Sequence, residues 1–260
     1  MQGIGRAAAL LLIGLSLLPA SEPLTGRLTV AVAASMRPAF EDIIAEFEAA
    51  HAGVQVTAAY GASGSFFAQL SQRAPFDLFL SADTKYPSQL VASGQAEQSF
   101  LYASGRLVLW APDSAGLDVK ARGLQALADP AIRKLAIANP ELAPYGQAAE
   151  AVLRKAGLWE ALRAKLVRAE NVGQAAQFVQ SGAAQIGFVA HALALEPAME
   201  KGGDSWLVPA ELHEPILQSG VILPWTTNRT AAEALRDFVL GPQGGAILTR
   251  HGFSLPASGP

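Results

Sequence analysis

The chain has 260 residues, 51% of them hydrophobic and 16% charged, and its 19 Lys and Arg against 22 Asp and Glu leave a formal charge of -3 at pH 7. The basic residues are scattered rather than blocked, so nothing points to nucleic acid. With no cysteine there is no disulfide, thiolate metal site, cysteine nucleophile or cysteine for a lipid anchor, and His51, His191, His213 and His251 lie too far apart for metal-ligand spacing, so no metal cation is expected.

The N-terminal stretch "MQGIGR" followed by "AAALLLIGLSLLPA" has one positive charge, then an apolar core of signal-peptide length. It is shorter than the roughly 20 residues that span a bilayer, and Pro19, Ser21 and Pro23 end it. Residues 1–24 are therefore expected to be a secretory signal cut near Ala20, releasing a periplasmic protein of about 235 residues, enough for one large domain or two lobes.

Beyond the signal, "RLTVAVAA" reads as a strand, and "SMRPAFEDIIAEFEAAH" as a helix burying Phe40, Ile43, Ile44 and Phe47 at helical spacing. Ser35 stands where its N-cap belongs, Pro38 suits the first turn, and Glu41 and Asp42 favour the positive helix end. The alternation continues with strand "VQVTAAY", corner "GASGS", helix "FFAQLSQ", strand "FDLFLSA" and helix "KYPSQLVASG". A second α/β group follows: strand "GRLVLWAP", a weak helix "LDVKARGLQALAD", strand "KLAIANP", helices "YGQAAEAVLRKAGLW" and "NVGQAAQFVQSGAA", and strand "QIGFVAH". After a loop around Gly202, Gly203 and Asp204 come strand "ILQSGVILP" and helix "AAEALRDFVLG". Such alternation implies mostly parallel sheets with helices on both faces. We expect an α/β protein of two lobes, 25–105 with 220–260 and 106–219, with the strands "GRLVLW" and "ILQSGVIL" crossing between them.

Open α/β sheets bind ligands at the carboxyl ends of their strands, where helix starts present free N–H groups. Four corners qualify: Ser35-Met36, Ser63-Gly64-Ser65, Pro144-Tyr145-Gly146 and Asn171-Val172-Gly173, two in each expected lobe. Ser35 and Ser63 add hydroxyls, and Asn171 with Gln174 has the spacing of a capping-box variant. Taken singly, each corner is also satisfied by ordinary capping or turn chemistry, Phe66 and Phe67 by core packing, and Asp77 and Asp83 by a strand end and a cap. A serine hydrolase fits poorly. Residues 61 to 65 read G-A-S-G-S, one position out of register with a nucleophile elbow, and no phosphate loop occurs.

The stretches "AVAAS", "GASGS", "APFDLFLSAD", "LAIANPELAPYGQAA", "ENVGQAAQFVQSGAAQIGFV" and "GPQGGAILTRHGF" occur in this order. Together they resemble the periplasmic molybdate-binding proteins of ABC transporters, over essentially the whole chain beyond the signal. The resemblance implies a type II periplasmic binding protein, two α/β lobes joined by two crossover strands and closing on a tetrahedral oxyanion. Its ligand contacts, carried over by motif, are Ser35 and Ser63 through hydroxyl and backbone, Met36 through backbone, and Tyr145 and Val172 through backbone N–H. One branch of the family has a tyrosine where this chain has Ala190; the segment "ANPELAPYG" resembles a branch with tyrosine at position 145. The resemblance further implies capture of molybdate, and of tungstate, for a membrane permease by a monomer with no cofactor and no enzymatic activity. The alternatives are a binding protein for sulfate or another small oxyanion, an exported serine hydrolase, and a regulator's effector domain, against which the export signal argues.

Overall fold

The computed structural model describes residues 24–256; of the expected export signal only Leu24 lies within them. Two five-stranded sheets carry the chain. In the first, β1 (Thr25–Ala33) lies between its parallel neighbours β2 (Gly53–Gly61) and β3 (Leu78–Ser81), and β10 (Ile216–Ile222) runs antiparallel between β3 and the edge strand β4 (Ser99–Gly105). In the second, β6 (Leu135–Ala138) lies between its parallel neighbours β7 (Leu166–Ala169) and β8 (Ile186–Ala190). There β5 (Leu107–Pro112) runs antiparallel between β8 and the edge strand β9 (Gly203–Leu207). The two sheets share one plan, three strands of parallel pairing extended by an antiparallel strand and an edge.

The first sheet is flanked by α1 (Arg37–Ala50), α2 (Ser63–Ser71), α3 (Lys85–Ala92), α10 (Arg229–Leu240) and α11 (Pro242–Arg250). The second has α4 (Val119–Arg122), α5 (Pro144–Lys155), α6 (Trp159–Leu162), α7 (Val172–Gln180), α8 (His191–Ala194) and α9 (Pro197–Glu200). Because helices cover both faces, central strands are apolar throughout rather than alternating: β3, β5, β6 and β8 are buried at every residue. Helix α1 buries Phe40, Ile43 and Phe47 as its spacing predicts, while Ile44, expected on the same face, is half-buried at the edge of the core.

Three local expectations are corrected. Ser35 does not cap α1. A 3-10 turn, Ala34–Met36, intervenes between β1 and the helix, and Ser35 is buried inside that turn without a capping bond. Glu41 and Asp42 fall beyond the first turn, and Asp42 instead ties α1 to α11, accepting from His251 Nε2 at 2.8 Å and Arg250 Nη2 at 3.0 Å. The bond from His251 holds its carboxyl below the usual range. The expected loop at Gly203 and Asp204 is the start of β9, where Gly203 sits opposite Pro112.

The chain passes between sheets twice. It leaves β4 at Gly105 and enters β5 at Leu107; it leaves β9 at Leu207 and enters β10 at Ile216. Each strand read as a crossing lies whole within one sheet, β5 in the second and β10 in the first, where Ile216 pairs with Gly105. The crossings are the joints at these ends.

Helix α5 starts hard against β6. A Cβ on Gly146 would lie 2.3 Å from the Ala138 carbonyl oxygen, so only glycine lets the first turn of α5 approach the strand this closely. Gly146→Ala is expected to destabilise the protein by about 1–3 kcal/mol through overpacking, although alanine is the better helix former. A urea midpoint lowered at unchanged slope is the expected result; an equal or higher midpoint refutes the contact.

Candidate functional site

The four helix-start corners converge. Ser35 after β1, Ser63 at the start of α2, Tyr145 at the start of α5 and Val172 at the start of α7 line one cavity between the two sheets, together with Ala82 and Asn171. The cavity is small, about 10 Å³, close to the roughly 10–15 Å³ that one water needs by the same measure, and no charged side chain lines it. Any occupant must be compact. Met36 is not in the wall; its side chain is buried in the core of the first sheet, beside Phe40. Ala190 is buried at the end of β8, also away from the wall.

Each corner presents a donor. Val172 is the first and Tyr145 the second residue of its helix, so neither N–H has an acceptor within the helix. Asn171 Oδ1 accepts from Gln174 N at 3.0 Å while Gln174 Oε1 accepts from Glu170 N at 2.7 Å, the reciprocal cap its spacing predicts. This cap consumes the Asn171 oxygen and fixes the direction of the α7 start. Ser63 Oγ accepts from the Ala82 N–H at 3.0 Å. Among the described residues its hydrogen-bond partner is thus a donor, which leaves the hydroxyl proton for the cavity. Ser35 Oγ is completely buried and lies beside the Tyr145 hydroxyl without a hydrogen bond of acceptable geometry.

The Tyr145 hydroxyl accepts from Gln218 Nε2 at 3.2 Å. Gln218 Oε1 accepts from the Tyr102 hydroxyl at 3.1 Å, and that hydroxyl also reaches the Ser81 carbonyl at 2.9 Å. Burial pushes both phenols well above their usual range, so they stay protonated. The two sheets meet directly beside the cavity: Gly64 N donates to the Leu142 carbonyl at 2.8 Å. Tyr102 and Gln218 carry no motif that sequence reasoning singled out, and Leu142 was quoted only as part of the stretch "LAIANPELAPYGQAA". The one available signal was an amide inside the apolar run of β10.

A larger groove of about 290 Å³ adjoins the cavity along Asp83, Thr84, Gln147 and Leu217. Asp83 faces it rather than the cavity, with Oδ1 already accepting from Ser81 Oγ and Tyr86 N.

The buried phenols make stability sensitive to alkali. Unfolding exposes Tyr102 and Tyr145, whose ordinary pKa is about 10. Above that pH the unfolded chain releases protons that the native state keeps, so stability is complete below about pH 10 and falls as pH rises beyond it. Melting temperatures across this range should drop, and Tyr102→Phe should flatten the slope. An unchanged slope in that variant would show that Tyr102 titrates normally.

Residues 28–254 match the family described as bacterial extracellular solute-binding protein. The molybdate-binding protein ModA of Azotobacter vinelandii is 40% identical over 228 residues, 87% of this chain and 89% of the relative. That of Rhodobacter capsulatus is 39% identical over 251 residues, 96% and 95% of the two chains. The solved Azotobacter vinelandii periplasmic molybdate-binding protein superposes with a TM-score of 0.82 at 37% identity, covering 88% of this chain and 100% of that one. A match running from the first sheet to the last helix, joined to a two-sheet architecture with its cavity between the sheets, shows that the chain belongs to the bacterial extracellular solute-binding protein family and has ModA proteins among its relatives.

Proposed function

We propose that the chain is the periplasmic solute-binding component of an ABC importer, capturing molybdate, and tungstate as its near-isostere, for a membrane permease. The observation that carries this is the cavity itself. Hydroxyl and helix-start donors from both sheets converge on a space without a charged side chain. A tetrahedral dianion needs many donors, and hydrogen bonds to a charged acceptor are about twice as strong as neutral ones. Helix N-termini add favourable dipoles. Neutral donors therefore hold the anion with no counter-charge to desolvate.

The contacts of this reading are hydroxyls from Ser35 and Ser63 and backbone N–H from Tyr145 and Val172, all in the cavity wall; the Met36 N–H, outside that wall, belongs to it by resemblance alone. The protein acts as a monomer of two lobes, 25–105 with 220–260 and 106–219; the pairing of β10 within the first sheet supports moving the second boundary ahead of Ile216. Among the described residues no helix is long and apolar enough to cross a membrane, and the export signal at residues 1–24 would deliver the chain to the periplasm.

Molybdate should raise the melting temperature, since a ligand bound only by the native state stabilises it by RT ln(1 + [L]/Kd). A shift with sulfate and none with molybdate would reassign the ligand and leave the class standing. Ser63→Ala should weaken molybdate binding by about 10- to 150-fold, the equivalent of roughly 1.5–3 kcal/mol; unchanged affinity would remove Ser63 from the site.

Closure is tested at Gly64. A Cβ there would lie 2.9 Å from the Leu142 carbonyl oxygen of the other lobe, as well as 2.6 Å from Tyr86 Oη within its own, so a methyl presses against the contact between the lobes. Gly64→Ala should bind molybdate more weakly, and its radius of gyration by X-ray scattering should exceed that of the wild type when both are saturated with molybdate. Equal radii and affinities would show that the Gly64 contact is not part of closure.

A further inference from the structure

One buried side chain next to the cavity has a polarity that matters for an anion and is not used by the contacts above. Gln218 is fully buried in β10 and spans two phenols, with Nε2 at Tyr145 and Oε1 at Tyr102. An amide presents donors on one side and an acceptor on the other, so its orientation dictates what each phenol must do. In the observed arrangement the single Tyr102 proton is shared between Gln218 Oε1 and the Ser81 carbonyl, while the Tyr145 hydroxyl accepts a hydrogen bond from Gln218 Nε2. The Tyr145 hydroxyl then sends its own proton elsewhere, on the side where the unpartnered Ser35 hydroxyl and the cavity lie.

We propose that Gln218 is a positioning residue for oxyanion selectivity: by donating to the Tyr145 hydroxyl it turns that hydroxyl's proton toward the cavity, so the site favours a fully deprotonated tetrahedral oxyanion over one that still carries a proton. A flipped amide would do the opposite. Gln218 would accept from Tyr145, and the Tyr145 oxygen would become an acceptor able to take a proton from hydrogen phosphate. Tyr102 holds Gln218 Oε1 on its own side through the one phenolic proton, which Oε1 at 3.1 Å shares with the Ser81 carbonyl at 2.9 Å. Among the described residues no carboxylate or free amide oxygen offers the missing acceptor, which leaves only the Ser35 and Ser63 hydroxyls beside Tyr145. The cavity has no carboxylate, Asn171 Oδ1 is spent on its helix cap, and Asp83 faces the adjoining groove. The backbone enforces the placement, since a Cβ on Gly105 would lie 2.0 Å from Tyr145 Oη and 2.7 Å from Gln218 Nε2.

This inference rests on the oxyanion-binding reading, and its test separates the two. Wild type, Gln218→Met, Tyr145→Phe and the double variant are titrated calorimetrically with molybdate and with inorganic phosphate. The conditions are mildly alkaline, where phosphate is a dianion that keeps one proton. Gln218→Met, similar in volume but unable to donate, should lower the molybdate-to-phosphate affinity ratio by about tenfold or more, the size of one charge-assisted hydrogen bond. In the Tyr145→Phe background the same change should leave the ratio where Tyr145→Phe alone put it, because Gln218 acts through that hydroxyl. If Gln218→Met weakens both anions equally, or its effect on the ratio persists without the Tyr145 hydroxyl, Gln218 is merely structural and the proposal is overturned. Wild type that binds no molybdate overturns the functional reading first and this proposal with it. Should Gln218→Met fail to fold, Tyr102→Phe frees the amide from the far end without touching the cavity. It should lower the ratio in the same direction; a wild-type ratio in a folded Tyr102→Phe protein overturns the proposal.

Discussion

An unpaired hydrogen-bond donor is costly in a protein interior, by about 1–3 kcal/mol when nothing replaces water, and this fold gathers such donors at one place. Ser35 has a hydroxyl with no solvent exposure and no partner. The Ser63 hydroxyl is engaged only as an acceptor, and two helices begin beside it with N–H groups that their own turns cannot satisfy. The architecture follows from that constraint. Parallel strands deliver several helix starts to one edge, and two sheets facing each other bring starts from both sides onto a common point.

The same constraint explains why the site is neutral. Lysine or arginine in so small a space would have to be desolvated whenever the cavity closes, and would bind any anion of the right sign. Hydroxyls and backbone N–H groups cost less to bury than a charge. The surrounding polar side chains serve direction rather than charge. The Asn171–Gln174 cap orients α7, the Ala82 N–H orients the Ser63 hydroxyl, and the Tyr102–Gln218 pair meets the Tyr145 hydroxyl. Burial holds the phenols protonated, which makes them dependable donors.

The joints between the sheets lie opposite this demand. Gly105 stands at the first crossing and packs against both the Tyr145 hydroxyl and Gln218, while Gly64 bridges to Leu142 across the cleft. Both positions place backbone where a side chain would stand between the sheets. At Gly64 and Gly105 the absence of a side chain lets groups of the two sheets approach closely near the cavity.

Local pattern alone determined much of this protein. The helical spacing of Phe40, Ile43 and Phe47, the apolar runs of the central strands and the N-x-x-Q cap at Asn171 each report on one element and its immediate neighbours, so they are legible without a fold. The corners Ser35, Ser63, Tyr145 and Val172 were legible too, because strand-to-helix transitions are local events. Of the four edge strands, β2 was legible from its alternating run, while β4, β7 and β9 were not singled out: their pairing partners, rather than their own periodicity, make them strands. Ser35 was read as a cap because its type suits one; the 3-10 turn that withdraws it into the core comes from how β1 and α1 pack. Gln218 lies 73 residues from Tyr145 and 116 from Tyr102 in sequence. Its role exists only where β4, β10 and α5 are brought together, because a hydrogen bond between distant elements leaves no periodic trace in either of them.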